Sequence, residues 1–153
     1  MKSETRPFLL AITLLTVAVL LSAGCGRPSQ EVYPVLPPEE GVIRVDLSSI
    51  ENGSGSFFTY PTSSGRNVDY FIYKDSSGAT RGVLDACRTC YRWRKGYRLE
   101  GDHVVCRKCD MKFSLDELYR GTGSCVPIGI RSTAEKDTLT IPVTELEAGA
   151  IYF

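Results

Sequence analysis

Two C-x2-C pairs constrain this chain more than any other feature of its sequence. Cys87 and Cys90 form the first and Cys106 and Cys109 the second, fifteen residues apart, and Cys125 follows after another fifteen. Two pairs at this separation have the spacing of a four-thiolate metal site. A tight turn within each pair aims both sulfurs at one point, and a hairpin between the pairs brings them together. The same spacing leaves two other outcomes open. The pairs can close as disulfides, which persist outside the cytoplasm, or one C-x-x-C can work as a redox thiol pair.

The charges around the pairs favour an anionic centre. Arg81, Arg88, Arg92, Arg94, Lys95, Arg98, Arg107, Lys108 and Lys112 are offset only by Asp85, Glu100, Asp102 and Asp110. Four thiolates on one divalent ion leave a charge of about −2, and nearby cations favour thiolate over thiol. A solvated surface accounts for many of these side chains, because Lys and Arg are mostly exposed. Over the whole chain, 18 basic residues balance 18 acidic ones. Composition therefore describes an ordinary globular chain with no bias toward nucleic acid, and the 153 residues allow one domain.

The first 24 residues read as an export signal. Lys2 and Arg6 precede an apolar run from Phe8 to Leu21, short for a membrane span and suited to a signal core. The run ends in LSAGC, which resembles a bacterial lipobox with Cys25 as the lipidated first residue of the mature chain. Ser22 stands where that motif usually carries leucine. An uncleaved anchor is the alternative. Either outcome predicts a domain outside the cytoplasm, tethered to a membrane. Residues 25–40, rich in proline and without periodicity, read as an extended tether of about 3.1 Å per residue.

Residues 41–153 read as a β-rich, small α+β domain of antiparallel strands and hairpins with one short helix. Ile43, Val45 and Leu47 alternate with polar neighbours, as a half-buried strand requires. Phe57 to Tyr60 forms a short aromatic strand after a turn-rich ENGSGS loop. Val68–Tyr73 and Thr80–Asp85 make a hairpin about Asp75–Gly78, which returns directly into Cys87. Two further strands flank Glu100–Asp102, the second leading into Cys106. Ser114 with Glu117 three residues on is a capping box, so FSLDELYRG reads as a helix ending at Gly121. VPIGI and TLTIP give later strands, with Thr144 and Glu147 expected to cap a last turn. Tyr91, Trp93 and Tyr97 are expected in a core, since aromatics bury area first.

With LDACRTCYRWRKGYRLEGDHVVCRKCDMKF, GTGSCVPIGI and IPVTELEAGAIYF in view, the chain resembles the bacterial FtrD-like domain family over Val68 to Phe153. The resemblance aligns Cys87, Cys90, Cys106 and Cys109 with the family's two pairs and Cys125 with its trailing cysteine motif. It implies an iron–sulfur or other metal centre in a membrane-associated protein linked to iron uptake, with an iron permease or redox protein as partner. Two features depart from the family pattern. Many members carry several membrane spans before the domain, whereas this chain has only an export signal. Asp110 also stands where a glycine is usual, at a turn that favours left-handed backbone.

The residues leave the metal open. Zinc suits four thiolates without redox chemistry, and an iron–sulfur cluster suits the same ligands with electron transfer. Cys125 can replace a ligand, stay a free thiol or fill space as a small apolar residue. His103, the single histidine, reads as a surface residue rather than a ligand. No phosphate loop is present, and no nucleophile–histidine arrangement for hydrolysis or group transfer. A catalytic role would have to be redox, and an exported lipoprotein meets no nucleic acid.

Overall fold

Strand β3 (Asn67–Lys74) carries large apolar side chains on both of its faces, and that decides the architecture. Val68, Tyr70 and Ile72 point to one side and Phe71 and Tyr73 to the other, and all five are buried. Successive side chains of a strand alternate sides, so a strand with no polar face must lie between two layers. The computed structural model, which describes residues 32–120 and 123–153, has that arrangement. The compact unit runs over Tyr33–Phe153.

The central sheet has the order β2-β3-β4-β8 and is antiparallel throughout, with β2 Ser54–Pro61, β4 Thr80–Cys87 and β8 Pro127–Ile130. Against one face lies the sheet β1-β10-β9, made of Val42–Asp46, Thr138–Pro142 and Thr133–Glu135. Ile43, Val45, Leu139 and Ile141 from this sheet join Val68, Tyr70, Ile72 and Leu84 in one apolar cluster. Against the other face lies the sheet β5-β6-β7, made of Tyr97–Glu100, His103–Cys106 and Lys112–Ser114. Here Tyr97, Val104 and Cys106 meet Phe71, Tyr73, Val83 and Cys87 in a second cluster, which Leu115 and Leu118 close. Every predicted strand is present, and the architecture is the expected antiparallel, β-rich one.

Local chemistry sets the connections. Asp75 accepts hydrogen bonds from the amides of Ser77 and Ala79, at 3.0 and 2.9 Å, and so fixes the β3–β4 turn. A short aspartate side chain stands in for backbone at such a turn. Ser114 caps helix α1 (Leu115–Leu118), its hydroxyl accepting from the Asp116 amide at 3.3 Å. Asp116 in turn accepts from the Ser76 amide at 2.8 Å, tying α1 to the hairpin turn. Gly121, the expected stop of this helix, lies outside the described residues.

Two expectations are corrected. The strand after ENGSGS starts earlier than Phe57, because Ser54–Ser56 already pair with Ile72–Lys74. The closing turn is a seven-residue helix, α2 (Val143–Gly149), with Pro142 at its N-cap position. Glu147 does not cap it; its carboxylate accepts from the Tyr60 hydroxyl and the Ser63 amide, each at 3.0 Å, and pins α2 to the β2–β3 loop. Of the segment expected as tether, Pro34 accepts from the Thr59 amide at 3.0 Å and Tyr33 stacks on Phe57 at 4.9 Å between centroids. Cys25 lies outside the described residues. Among the described residues no helix is long and apolar enough to cross a membrane.

The buried hydroxyls of Tyr70 and Tyr73 have no hydrogen-bond partner among the described residues. Burial pushes the Tyr73 hydroxyl up to about 12, so it stays a neutral, unsatisfied donor. An unsatisfied buried polar group costs about 1–3 kcal/mol. Tyr73→Phe is therefore expected to leave stability unchanged or raise it by about 1 kcal/mol, read from the urea midpoint. A loss above about 1 kcal/mol would mean that the hydroxyl has a partner after all.

Candidate metal centre

The first cysteine knuckle grows out of the central sheet. Strand β4 pairs regularly with β8 as far as Leu84, then shifts register so that Cys87 lies opposite Pro127. The Arg88 amide donates to the Val126 carbonyl at 3.1 Å, and the Thr89 hydroxyl donates to the Ser124 carbonyl. The chain then turns so that the Cys90 amide donates to the Cys87 sulfur at 3.1 Å. Tyr91–Trp93 form a single 3-10 turn, and Arg94 takes a left-handed φ of 48°.

The second knuckle closes β6. The Asp110 amide donates to the Cys106 carbonyl at 2.9 Å, and the Cys106 amide donates to the Met111 carbonyl at 2.9 Å. Asp110 sits at φ 55°, so the left-handed turn after this pair is made by an aspartate. Asp and Asn tolerate that region better than other non-glycine residues.

Gly96 joins the two knuckles. Its carbonyl accepts from the Arg107 amide at 3.0 Å, and the next amide, that of Tyr97, donates to the buried carboxylate of Asp85 at 2.6 Å. Asp85 lies two residues before Cys87 and Arg107 one after Cys106, so this chain of bonds sets one pair against the other. The fully buried Tyr97 then donates its hydroxyl to the Cys125 carbonyl at 2.7 Å, which positions the fifth cysteine.

The result is a convergence of five thiols. Cys87, Cys90 and Cys125 have sulfurs within 4.8 Å of one another, and so do Cys90, Cys106 and Cys109. Cys125 lies 3.8 Å from Cys90 and 3.3 Å from Cys109, sulfur to sulfur. All five are free thiols. Cys87, Cys106 and Cys125 are buried and Cys109 is exposed, so the cluster opens to solvent on one side.

The protein already prepares some of these sulfurs for ligation. Burial works to raise Cys87, but the amides of Cys90 and Thr89 hold it below the ordinary thiol range. The Met111 amide does the same for Cys109. Burial pushes Cys106 up to about 11 and raises Cys90 further, with Cys87 and Cys125 adding to the rise. Cys125 is raised by its contact with Cys109 and then by burial. Crowded sulfurs that cannot all ionise alone are expected where a cation is meant to balance them.

A profile of the family described as membrane iron-sulfur containing protein FtrD-like matches residues 50–153. The chain belongs to that family. No curated protein and no solved structure shows a significant match. The donor set of this FtrD-like domain fits the family's description, because thiolates are the ligands that iron–sulfur groups and zinc share.

Both predicted pairs are thus brought together, and Cys125, left open between ligand and filler, is brought in with them. His103 stays apart, its Nδ1 at 2.6 Å from the Asp102 carboxylate. Of the aromatics expected in a core, Tyr97 is fully buried and Tyr91 packs edge-on against Tyr152 at 5.3 Å. Trp93 does not join them: it is 54% exposed, with the Lys108 ammonium 4.9 Å from its ring centroid. In the sequence Asp85 reads only as an acid offsetting the basic run, and nothing in that reading marks it or Gly96 as framing the site. An acid inside the apolar run VLDAC was the visible signal for the first.

Proposed function

We propose that this FtrD-like chain is an extracytoplasmic lipoprotein, anchored to a membrane through Cys25, whose cysteine centre holds an iron–sulfur group. Its role on this reading is to pass electrons or iron to an iron permease or redox protein. The observation that carries the proposal is the gathering of five thiols from three separate segments around Cys90, in overlapping groups whose sulfurs lie within 4.8 Å of one another. A purely structural staple needs no opening to solvent, whereas this cluster presents Cys109 at the surface. When bound, an iron–sulfur group supplies one-electron chemistry. The chain's own residues hold the sulfurs, shield Cys87, Cys106 and Cys125 from water, and leave one edge open.

The basic residues beside the cysteines in sequence support a docking role. Arg88, Arg92, Arg94, Lys95 and Lys108 are all exposed and make no ion pair among the described residues. Unpaired surface cations of this kind steer an acidic partner toward the domain. The rival reading, a thiol–disulfide oxidoreductase using Cys87 and Cys90, is disfavoured by the burial of Cys87, since an attacking thiol must reach its substrate.

Two measurements on the anaerobically purified full chain test the proposal. Sulfur-to-iron absorption bands, with iron and acid-labile sulfide, are expected. A colourless protein holding only zinc would make the centre structural, and a metal-free protein with two disulfides by mass would end the metal reading. Cys25→Ala is expected to shift the protein from the membrane fraction to the soluble one. Unchanged sedimentation with membranes would remove the lipid anchor.

A further inference from the structure

An iron–sulfur group takes four thiolates, and five thiols gather in this chain. The sulfur separations show which two compete. Two thiolates on one tetrahedral ion, each at about 2.3 Å, stand roughly 3.8 Å apart. A cluster spreads its ligands over more than one iron and asks for no closer pair. Cys90 and Cys125, at 3.8 Å, meet that separation, whereas Cys109 and Cys125, at 3.3 Å, fall inside it. Both of the crowded sulfurs reach Cys90, Cys125 at 3.8 Å and Cys109 within 4.8 Å.

The geometry points to one ligand position shared by Cys109 and Cys125. Cys87, Cys90 and Cys106 are the fixed ligands, Cys109 completes the set, and Cys125 takes its place when Cys109 swings out to solvent. The inference rests on the iron–sulfur reading above and deepens it by naming the exchangeable ligand. In the exchange the Cys125 thiol gives up a proton, the released Cys109 thiolate takes one up, and no electron moves.

The two cysteines are held in opposite ways. Cys109 is the one exposed thiol of the five, and it lies in an unbroken exposed stretch, residues 107–112. Cys125 is buried, and its loop is tied down at three consecutive carbonyls. The Thr89 hydroxyl donates to that of Ser124, the Tyr97 hydroxyl to that of Cys125 at 2.7 Å, and the Arg88 amide to that of Val126 at 3.1 Å. Arg88 and Thr89 belong to the first knuckle, so Cys125 keeps station beside Cys87 and Cys90 while the tip of the second knuckle moves. A centre that passes iron or electrons can then open its exposed edge to a partner with four thiolates still in place.

Full-length chains reconstituted anaerobically with iron and sulfide test the sharing. Cys109→Ala and Cys125→Ala are each expected to keep the wild-type iron and sulfide per chain. The double variant, and Cys106→Ala alone, are expected to lose about tenfold or more. Loss in either single variant overturns the sharing, because the other cysteine has then failed to substitute. A double variant that keeps the group removes both as ligands.

Iodoacetamide reads the exchange directly and needs no variant to fold. In the loaded wild-type chain Cys109 is expected to be alkylated, by mass, while sulfur-to-iron absorption is retained. In loaded Cys125→Ala the absorption is expected to fall in step with alkylation. A wild-type Cys109 that stays unlabelled, or absorption lost in step with its labelling, overturns the exchange. A wild-type chain that takes up no iron overturns the iron–sulfur reading itself.

Discussion

Removing the metal is expected to loosen one half of the domain and spare the other. The two apolar clusters lie on opposite faces of the central sheet, and Cys87, Cys90, Cys106 and Cys125 belong to or pack against only one of them. That second cluster is thin. Its outer layer is a sheet of short strands, four, four and three residues long, and a single helical turn. Such a layer buries too little apolar area to hold itself, and metal–thiolate bonds are the natural supplement in a small core. The first cluster contains no cysteine and is closed by β1, β10 and α2. Amide hydrogen exchange checks this: chelation, or Cys106→Ser, is expected to lower protection more than 100-fold across 97–118. A tenfold change is 1.4 kcal/mol, so this corresponds to about 3 kcal/mol or more of local stability. Protection in β1, β10 and α2 is expected to change less than tenfold. A uniform fall over both halves, or no fall, would mean that the thiols do not stabilise the domain in this way.

That asymmetry marks where the sequence was readable. Strand identities followed from alternation and turn residues, as with Ile43, Val45 and Leu47 or the Asp75–Gly78 turn. The double-sided burial of β3 was harder to see, because Tyr70 and Tyr73 look amphipathic on paper while their hydroxyls lie buried without partners. The cysteine site was legible because ligand spacing is a local property. The position of Cys125 was not, because it depends on Tyr97 reaching across to a loop 28 residues away. Likewise Trp93 looks like a core residue, but it ends the 3-10 turn Tyr91–Trp93, where it is exposed and meets Lys108.

The frame between the knuckles predicts a second large effect. At Gly96, with φ +63°, an added Cβ would come within 2.7 Å of the Asp85 Cγ and Oδ1 atoms and closer still to Oδ2. The Asp85 carboxylate cannot step aside cheaply. It is buried, and it holds the Tyr97 amide at 2.6 Å. Moving it strands a buried donor and a buried acceptor, at about 1–3 kcal/mol for each group. Left-handed backbone adds about 1 kcal/mol for any residue with a Cβ. Gly96→Ala is therefore expected to cost about 3 kcal/mol or more and to weaken metal binding, because the same residue sets Cys106 against Cys87 through Arg107. Gly101 provides the internal control. Its φ is +62°, but an added Cβ there meets nothing within 4 Å. Gly101→Ala should thus cost only the backbone term of about 1 kcal/mol and leave metal stoichiometry and affinity unchanged. Urea denaturation with and without metal, together with competition against a chromophoric chelator, separates the two variants. Equal losses at the two glycines would show that backbone strain alone is at work. A Gly96→Ala chain with wild-type metal affinity would remove Asp85 and Gly96 from the frame that aligns the cysteine pairs.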